Sequence, residues 1–375
     1  MSTTYAPVLK TVVSLALAFV GAFPVVPLAG QESTLRVAVS PGAGTQGWSE
    51  AWRLDVSRGG SAELVWADSM LIVASLDRNV HIIAPRSKPI VIWKESFKGG
   101  FEAKPIVDKD RIYLAETLKG GRLVTVDRRT KTVLWTASAG DMVAPPVVTS
   151  DRIYTVSSIG VVKAFNHSGL EMWSIELETR VVTAPVFVTD RLVIAASDGM
   201  LYSVDPMNGQ IGDSVDADAG LIWGQPTVRS SGVLETILYA TLSGQVIEVA
   251  ADLSIVQRRS FPSRFYSGPE MAGDRLFLIG HEGTLWAYDW STAEIAWQRE
   301  LDGTFRAAPR VGAGFVSVGN LSKTLYAIDS GSGDLIWSTE LDGAITSRPL
   351  VHDDQLFVMT ERGTVFAFQR GEVTR

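Results

Sequence analysis

The sequence predicts an all-β protein: an eight-bladed β-propeller with four antiparallel strands per blade, closed by an N-terminal strand that joins the last blade. Three observations predict it. A proline preceded by a small or polar residue recurs at Pro105, Pro145, Pro185, Pro226, Pro269, Pro309 and Pro349, in steps of 40 to 43 residues. A tryptophan closes the unit at Trp52, Trp93, Trp135, Trp173, Trp297 and Trp337. Between proline and tryptophan lie short apolar runs separated by Gly, Asp and Asn turns, each too short for a helix. A unit of about forty residues built this way cannot bury its own faces and must stack on its neighbours.

The unit from Pro269 shows the plan most plainly. Pro269-Glu-Met-Ala is a short first strand, where a missing backbone N–H interrupts no ladder. Asp274-Arg275 turns into a second strand, Leu276–Ile279, and His281-Glu282-Gly283 into a third, Thr284–Tyr288. A loop from Asp289 to Glu294 precedes the fourth, Ile295–Arg299. Two units upstream, Asp198-Gly199 is a hairpin signal, because a two-residue turn of this kind requires positive φ. The aspartates at the start of the last loop, Asp127, Asp205, Asp289 and Asp329, read as turn-formers.

Counting units fixes the blade number. Seven open with the proline, and an eighth, lacking it, runs from about Ala62 to Trp93. The unit from Pro349 ends without a tryptophan, whereas Ala51-Trp52-Arg53-Leu54 is a fourth strand with no preceding three. The two fragments complement each other. The 124-residue gap between Trp173 and Trp297 spans two lost tryptophans, near Asp213 and Gln257. A tryptophan in six of eight units is a wedge between blades; stacking on a planar cofactor would need one special residue.

Composition narrows the function. The chain of 375 residues is 46% hydrophobic with a formal charge of −7, and no run of Lys or Arg stands out. Nucleic acid is therefore not an expected partner, since phosphates demand clustered cations, and the same holds for docking directly on anionic lipid. There is no cysteine, which removes disulfides, thiolate metal sites, a cysteine nucleophile and a lipidated N-terminal cysteine. Residues 1–30 carry one charge, Lys10, followed by an apolar stretch from Thr11 to Leu28. This is the pattern of an export signal, or of an uncleaved anchor, although its length and two prolines favour cleavage. Residues 31–47 read as a tether and 48–370 as the propeller, a monomer placed outside the cytoplasm.

No catalytic constellation is visible. The histidines His81, His167, His281 and His352 are scattered, and there is no nucleophile elbow or phosphate-cradling loop. Asp213, Asp216 and Asp218 lack the ordered spacing of a calcium loop and read as a solvated inter-blade loop. The expectation is no catalytic residue, no cofactor and no metal. Trp223-Gly224-Gln225-Pro226 and Arg264-Phe265-Tyr266-Ser267-Gly268 precede first strands and should lie together on one rim, either binding a protein or plugging the channel mouth.

The pattern small-Pro, Asp-Arg-Leu-apolar, Asp-Gly-x-Leu-Tyr-x-apolar-Asp, x-Gly-x-apolar-x-Trp resembles the pyrroloquinoline-quinone-type propeller repeat, over residues 50–370. That family divides into quinoprotein dehydrogenases and non-catalytic propellers such as the eight-bladed component of the outer-membrane β-barrel assembly machinery. Size, blade number and export signal resemble the second group. The resemblance implies a periplasmic scaffold, indirectly membrane-associated, whose partners are a β-barrel insertase or unfolded outer-membrane clients captured on strand edges. It also implies a partner-binding loop of the form Leu-x-Leu-Arg, nearest here to Leu177-Glu178-Thr179-Arg180. Thr179 replaces the second leucine, and Arg180 also reads as an ordinary solvated arginine. The candidate partner-binding set is thus Leu177, Arg180, Trp223, Arg264, Phe265 and Tyr266. The alternatives are a small quinone-dependent oxidoreductase and a generic exported adaptor.

Overall fold

The computed structural model describes residues 47–56, 62–117, 121–231 and 234–371. The segment read as an export signal and nearly all of the tether lie outside them. Eight four-stranded antiparallel sheets are present, and the strand order within seven of them is sequential. Numbered along the chain, blades 1 to 7 cover 65–96, 106–138, 147–176, 186–216, 227–260, 270–300 and 310–340. Blade 8 consists of Leu350–His352, Gln355–Met359, Thr364–Arg370 and, as its outer strand, Trp48–Asp55. The two chain ends pair with Ser49 opposite Gln369 and Trp52 opposite Ala367. Closure is also apolar: Trp52, Leu64, Leu71 and Ile83 pack with Phe357, Met359 and Val365, joining blade 8 to blade 1. Such a ring leaves only short, twisted outer edges instead of one long open one.

The tryptophan wedges explain the glycine in the repeat. Trp173 stands opposite Ala164 on the third strand, as Trp135 does opposite Thr125 and Trp297 opposite Ala287. Each indole N–H donates to a backbone carbonyl in the last loop of the following blade: Trp135 to His167, Trp173 to Pro206, Trp297 to Ser330, at 3.0, 3.0 and 3.1 Å. A Cβ at Gly333 would lie 2.7 Å from the Trp297 ring. Glycine is therefore required both for close approach and for its φ of 79°. Where Asp213 replaces the wedge, Leu253 occupies the corresponding loop position with φ 66° and is buried. The side chain of the following blade fills the space that the missing indole leaves.

The turn-forming aspartates behave as read from the sequence. Asp127, Asp289 and Asp329 each accept two backbone N–H groups from their own loops. These bonds to the charged form hold their carboxyls below the usual range. One expectation is corrected. Asp213 and Asp216 lie on the outer strand Ile211–Asp216, not in a loop; only Asp218 follows it. The period-two exposure expected of a strand is absent because both faces of this edge meet solvent.

Candidate interaction surface at the channel mouth

The loops that run from each outer strand to the next inner strand form one face of the ring and converge on its axis. Their backbones are stapled. The N–H of Phe101, Val181, Phe265, Phe305 and Ile345 donates to a turn of the preceding blade, at Ser75, Ser158, Thr241, His281 and Asn320. The carbonyl one residue earlier, at Gly100, Arg180, Leu221, Arg264, Thr304 and Ala344, accepts from a turn of the following blade. The loops of Phe101, Val181, Phe265, Phe305 and Ile345 thus each bond two blades, so side chains on them are presented on a rigid frame.

Position relative to the blade-opening proline sorts these side chains, with Pro146 taking that place in the Pro145-Pro146 pair. The fourth residue before the proline is core: Phe101, Met142, Val181, Ile222, Phe265, Phe305 and Ile345 are all buried. The third residue before it faces the axis, supplying Glu102, Val143, Val182, Trp223, Tyr266, Arg306 and Thr346. A central cavity of about 730 Å³ is lined by Glu63, Lys104, Arg180, Trp223, Tyr266 and Arg306 among others.

The six candidates separate accordingly. Arg180, Trp223 and Tyr266 line the cavity mouth, and Trp223 is 42% exposed. Arg264 stands on the same rim but is committed to Glu282, at 2.7 and 2.9 Å. Burial alone would raise the Glu282 carboxyl; hydrogen bonds from Ser263 and Arg264 hold it down at about 2 instead. Leu177 and Phe265 are 7% and 0% exposed, inside the apolar clusters between blades. They support the rim and do not offer surface. Arg306, missed in the sequence, lies over the Tyr266 ring at 5.6 Å, and the Tyr266 ring also meets the His281 imidazole at 4.5 Å.

The mouth is electrostatically divided. Glu63 is near Lys104, at 3.9 Å, and the Glu102 carboxyl is raised by burial and by Asp141. Across the opening stand Arg180 and Arg306, with no ion pair to either among the described residues. Deeper in the wall, Glu270 is bound by Arg348 and lies 3.5 Å from Arg310. A quinone with its divalent cation would need converging carboxylate and amide donors here. Among the described residues no group of three or more His, Asp or Glu side chains converges at metal-binding distance. Glu63 and Glu270 already face cations, so the carboxylates at the mouth do not converge as that group would require.

A family model described as outer membrane protein assembly factor BamB matches residues 31–144, 92–220, 214–318 and 301–374. The assembly factor BamB of Shewanella oneidensis is 29% identical over 133 residues, covering 33% of this chain and 31% of that relative. The match therefore spans about a third of the relative's length. Among solved structures, BamB from Moraxella catarrhalis superposes with a TM-score of 0.69 at 15% identity, over 86% of this chain and 99% of that one. A europium-containing methanol dehydrogenase superposes with a TM-score of 0.73 at 10% identity, over 86% and 93%. At such identities both likenesses are likenesses of fold.

Proposed function

The chain belongs to the outer membrane protein assembly factor BamB family, and on that footing we propose that it is a non-enzymatic scaffold, exported to the periplasm, that supports insertion of β-barrel proteins into the outer membrane. Its partner in this reading is the barrel insertase, docked on the face that carries the stapled loops. One observation carries the proposal: on consecutive loops, Arg180, Leu221, Trp223 and Tyr266 stand on one rim, the first three exposed, over backbone that two blades hold in place. Aromatic and arginine side chains are the residues that carry most binding energy at protein interfaces, and a backbone already held in place has less ordering to lose on docking. The 1–30 segment would direct export, and attachment to the membrane would come through the partner, since no cysteine is available for acylation.

Affinity purification from membranes tests this. Recovery of a barrel insertase supports the scaffold, and recovery of other envelope proteins without it points to a general adaptor. The likeness to methanol dehydrogenase in fold keeps a quinone-dependent oxidoreductase as the competing reading. Incubation with Ca²⁺ and quinone, followed by dye reduction, separates the two. Turnover would overturn the scaffold reading.

A further inference from the structure

The mouth of the channel is not merely an apolar rim; it is a charge pattern. On the loops entering blades 4, 5, 6 and 7 stand Arg180, Trp223, Tyr266 and Arg306 in turn. Other arginines near the mouth are neutralised: Arg264 by Glu282 and Arg348 by Glu270. Arg180 and Arg306 have no such partner among the described residues. Asp198, in the turn beside the Arg180 backbone, accepts from the Thr179 hydroxyl at 2.9 Å. The carboxylates of the mouth, Glu63 and Glu102, belong to the opposite arc, on the loops entering blades 1 and 2.

Resting on the docking reading above, we propose that the basic arc receives an extended acidic segment of the partner protein, whose carboxylates meet Arg180 and Arg306 on either side of the Trp223 and Tyr266 rings. Charge complementarity selects this occupant. The chain as a whole is acidic, at −7, so long-range attraction of an acidic segment is not expected from net charge and must come from local arginines such as those at the mouth. That arrangement steers encounter and fixes orientation more than it adds raw affinity. A guanidinium also pairs with a carboxylate through two parallel hydrogen bonds, which a lysine cannot do. The cavity, about 730 Å³, is the size of a small-ligand cleft and admits a few side chains, not a folded domain.

The test uses the full chain and a short capped Asp/Glu/Tyr peptide carrying a fluorophore, beside its Asn/Gln counterpart. The acidic peptide is expected to bind at least about tenfold more tightly, or ~1.4 kcal/mol, with the difference shrinking as salt rises. Arg180→Glu with Arg306→Glu should abolish the preference while the unfolding midpoint stays unchanged. Equal binding of the two peptides, or an unaltered preference in the double variant, overturns the proposal. So does displacement by free glutarate at equal carboxylate concentration, which would mark a small-anion site. Self-association of the chain that the double variant removes would make the occupant a second copy, and overturns it as well. Failure here with the insertase still recovered from membranes sinks only this inference. Loss of the insertase with peptide binding intact sinks the docking reading instead.

Discussion

Gln257 donates through Nε2 to the carbonyl of Trp290 at 3.1 Å, the same loop that a tryptophan wedge reaches in other blades. Gln257 stands opposite Glu248 on the third strand, where the sequence shows a wedge lost. Trp290, fully buried in the loop of blade 6, supplies the missing aromatic volume from the other side. Its indole N–H donates to the buried Glu248 carboxylate at 2.7 Å, which also accepts from Thr236 and lies 3.2 Å from Arg229. The wedge has been turned around, not removed.

Trp290→Ala should therefore destabilise the ring by about 3–5 kcal/mol, the cost of a large cavity, with a further cost from the donor taken from a buried carboxylate. Trp223→Ala, at an exposed position, should change stability by no more than about 0.5 kcal/mol. Denaturant midpoints of the two variants, compared side by side, check this. Similar midpoints would contradict the wedge account.

Gly333→Ala should cost more than Gly314→Ala. Both glycines have positive φ, 79° and 80°, so each substitution is strained by about 1 kcal/mol or more. Only Gly333 has the Trp297 ring within contact of a new Cβ, whereas nothing lies within 4 Å at Gly314. Thermal unfolding of the pair isolates the contribution of the contact.

His81 gives the stability a pH dependence. It is 2% exposed, its Nδ1 has no partner, and burial followed by the nearby Lys94 charge lowers its pKa from 6.5. The folded state therefore favours the neutral ring, and the unfolded chain binds the proton more readily. That contribution is complete above about pH 6.5 and is lost as pH falls through the folded-state value. Unfolding midpoints measured downward from neutral pH should decline, and His81→Leu should flatten that decline.

Leu177→Ala and Arg180→Glu should separate support from recognition. The leucine packs between blades 3 and 4, and its truncation should cost about 2–5 kcal/mol of stability. Arg180→Glu should leave the midpoint unchanged and lower recovery of the partner. Partner loss that tracks stability in both variants would remove Arg180 from the docking surface.

The cysteine-free chain allows ring closure to be tested cleanly. Ser49 and Gln369 face each other across the closing strands, at the short separation of directly opposed residues. Ser49→Cys with Gln369→Cys should oxidise to a disulfide and raise the unfolding midpoint. Ser49→Cys with Thr364→Cys, out of register, should not form one.

Much of the fold is legible in the sequence because the repeat exposes itself. The proline and tryptophan periods give blade number, strand count and closure, since the incomplete unit at 349–370 and the orphan strand around Trp52 are complementary fragments. Leu177 and Phe265 read as surface only because they lie in loops. Their register shows otherwise: Phe101, Val181, Ile222, Phe305 and Ile345 share the position of Phe265, and Phe261, Leu301 and Leu341 that of Leu177. An apolar residue that recurs at one register position belongs to the core even within a loop. Arg306 escapes notice because Arg306-Ala307-Ala308 has no aromatic residue to attract attention, though it shares the register of Trp223 and Tyr266. The backbone staples have no sequence signal, because N–H and C=O groups are common to nearly every residue.

In the proposed docking, the partner meets the channel mouth and not the outer strands. Site-specific photocrosslinking in intact cells tests it most directly, with a photoreactive residue at position 223 on the mouth or at position 92 on an exposed outer strand. A covalent adduct with an outer-membrane barrel-assembly component is expected from position 223 and none from position 92. An adduct from position 92 alone, or none from position 223, would contradict it.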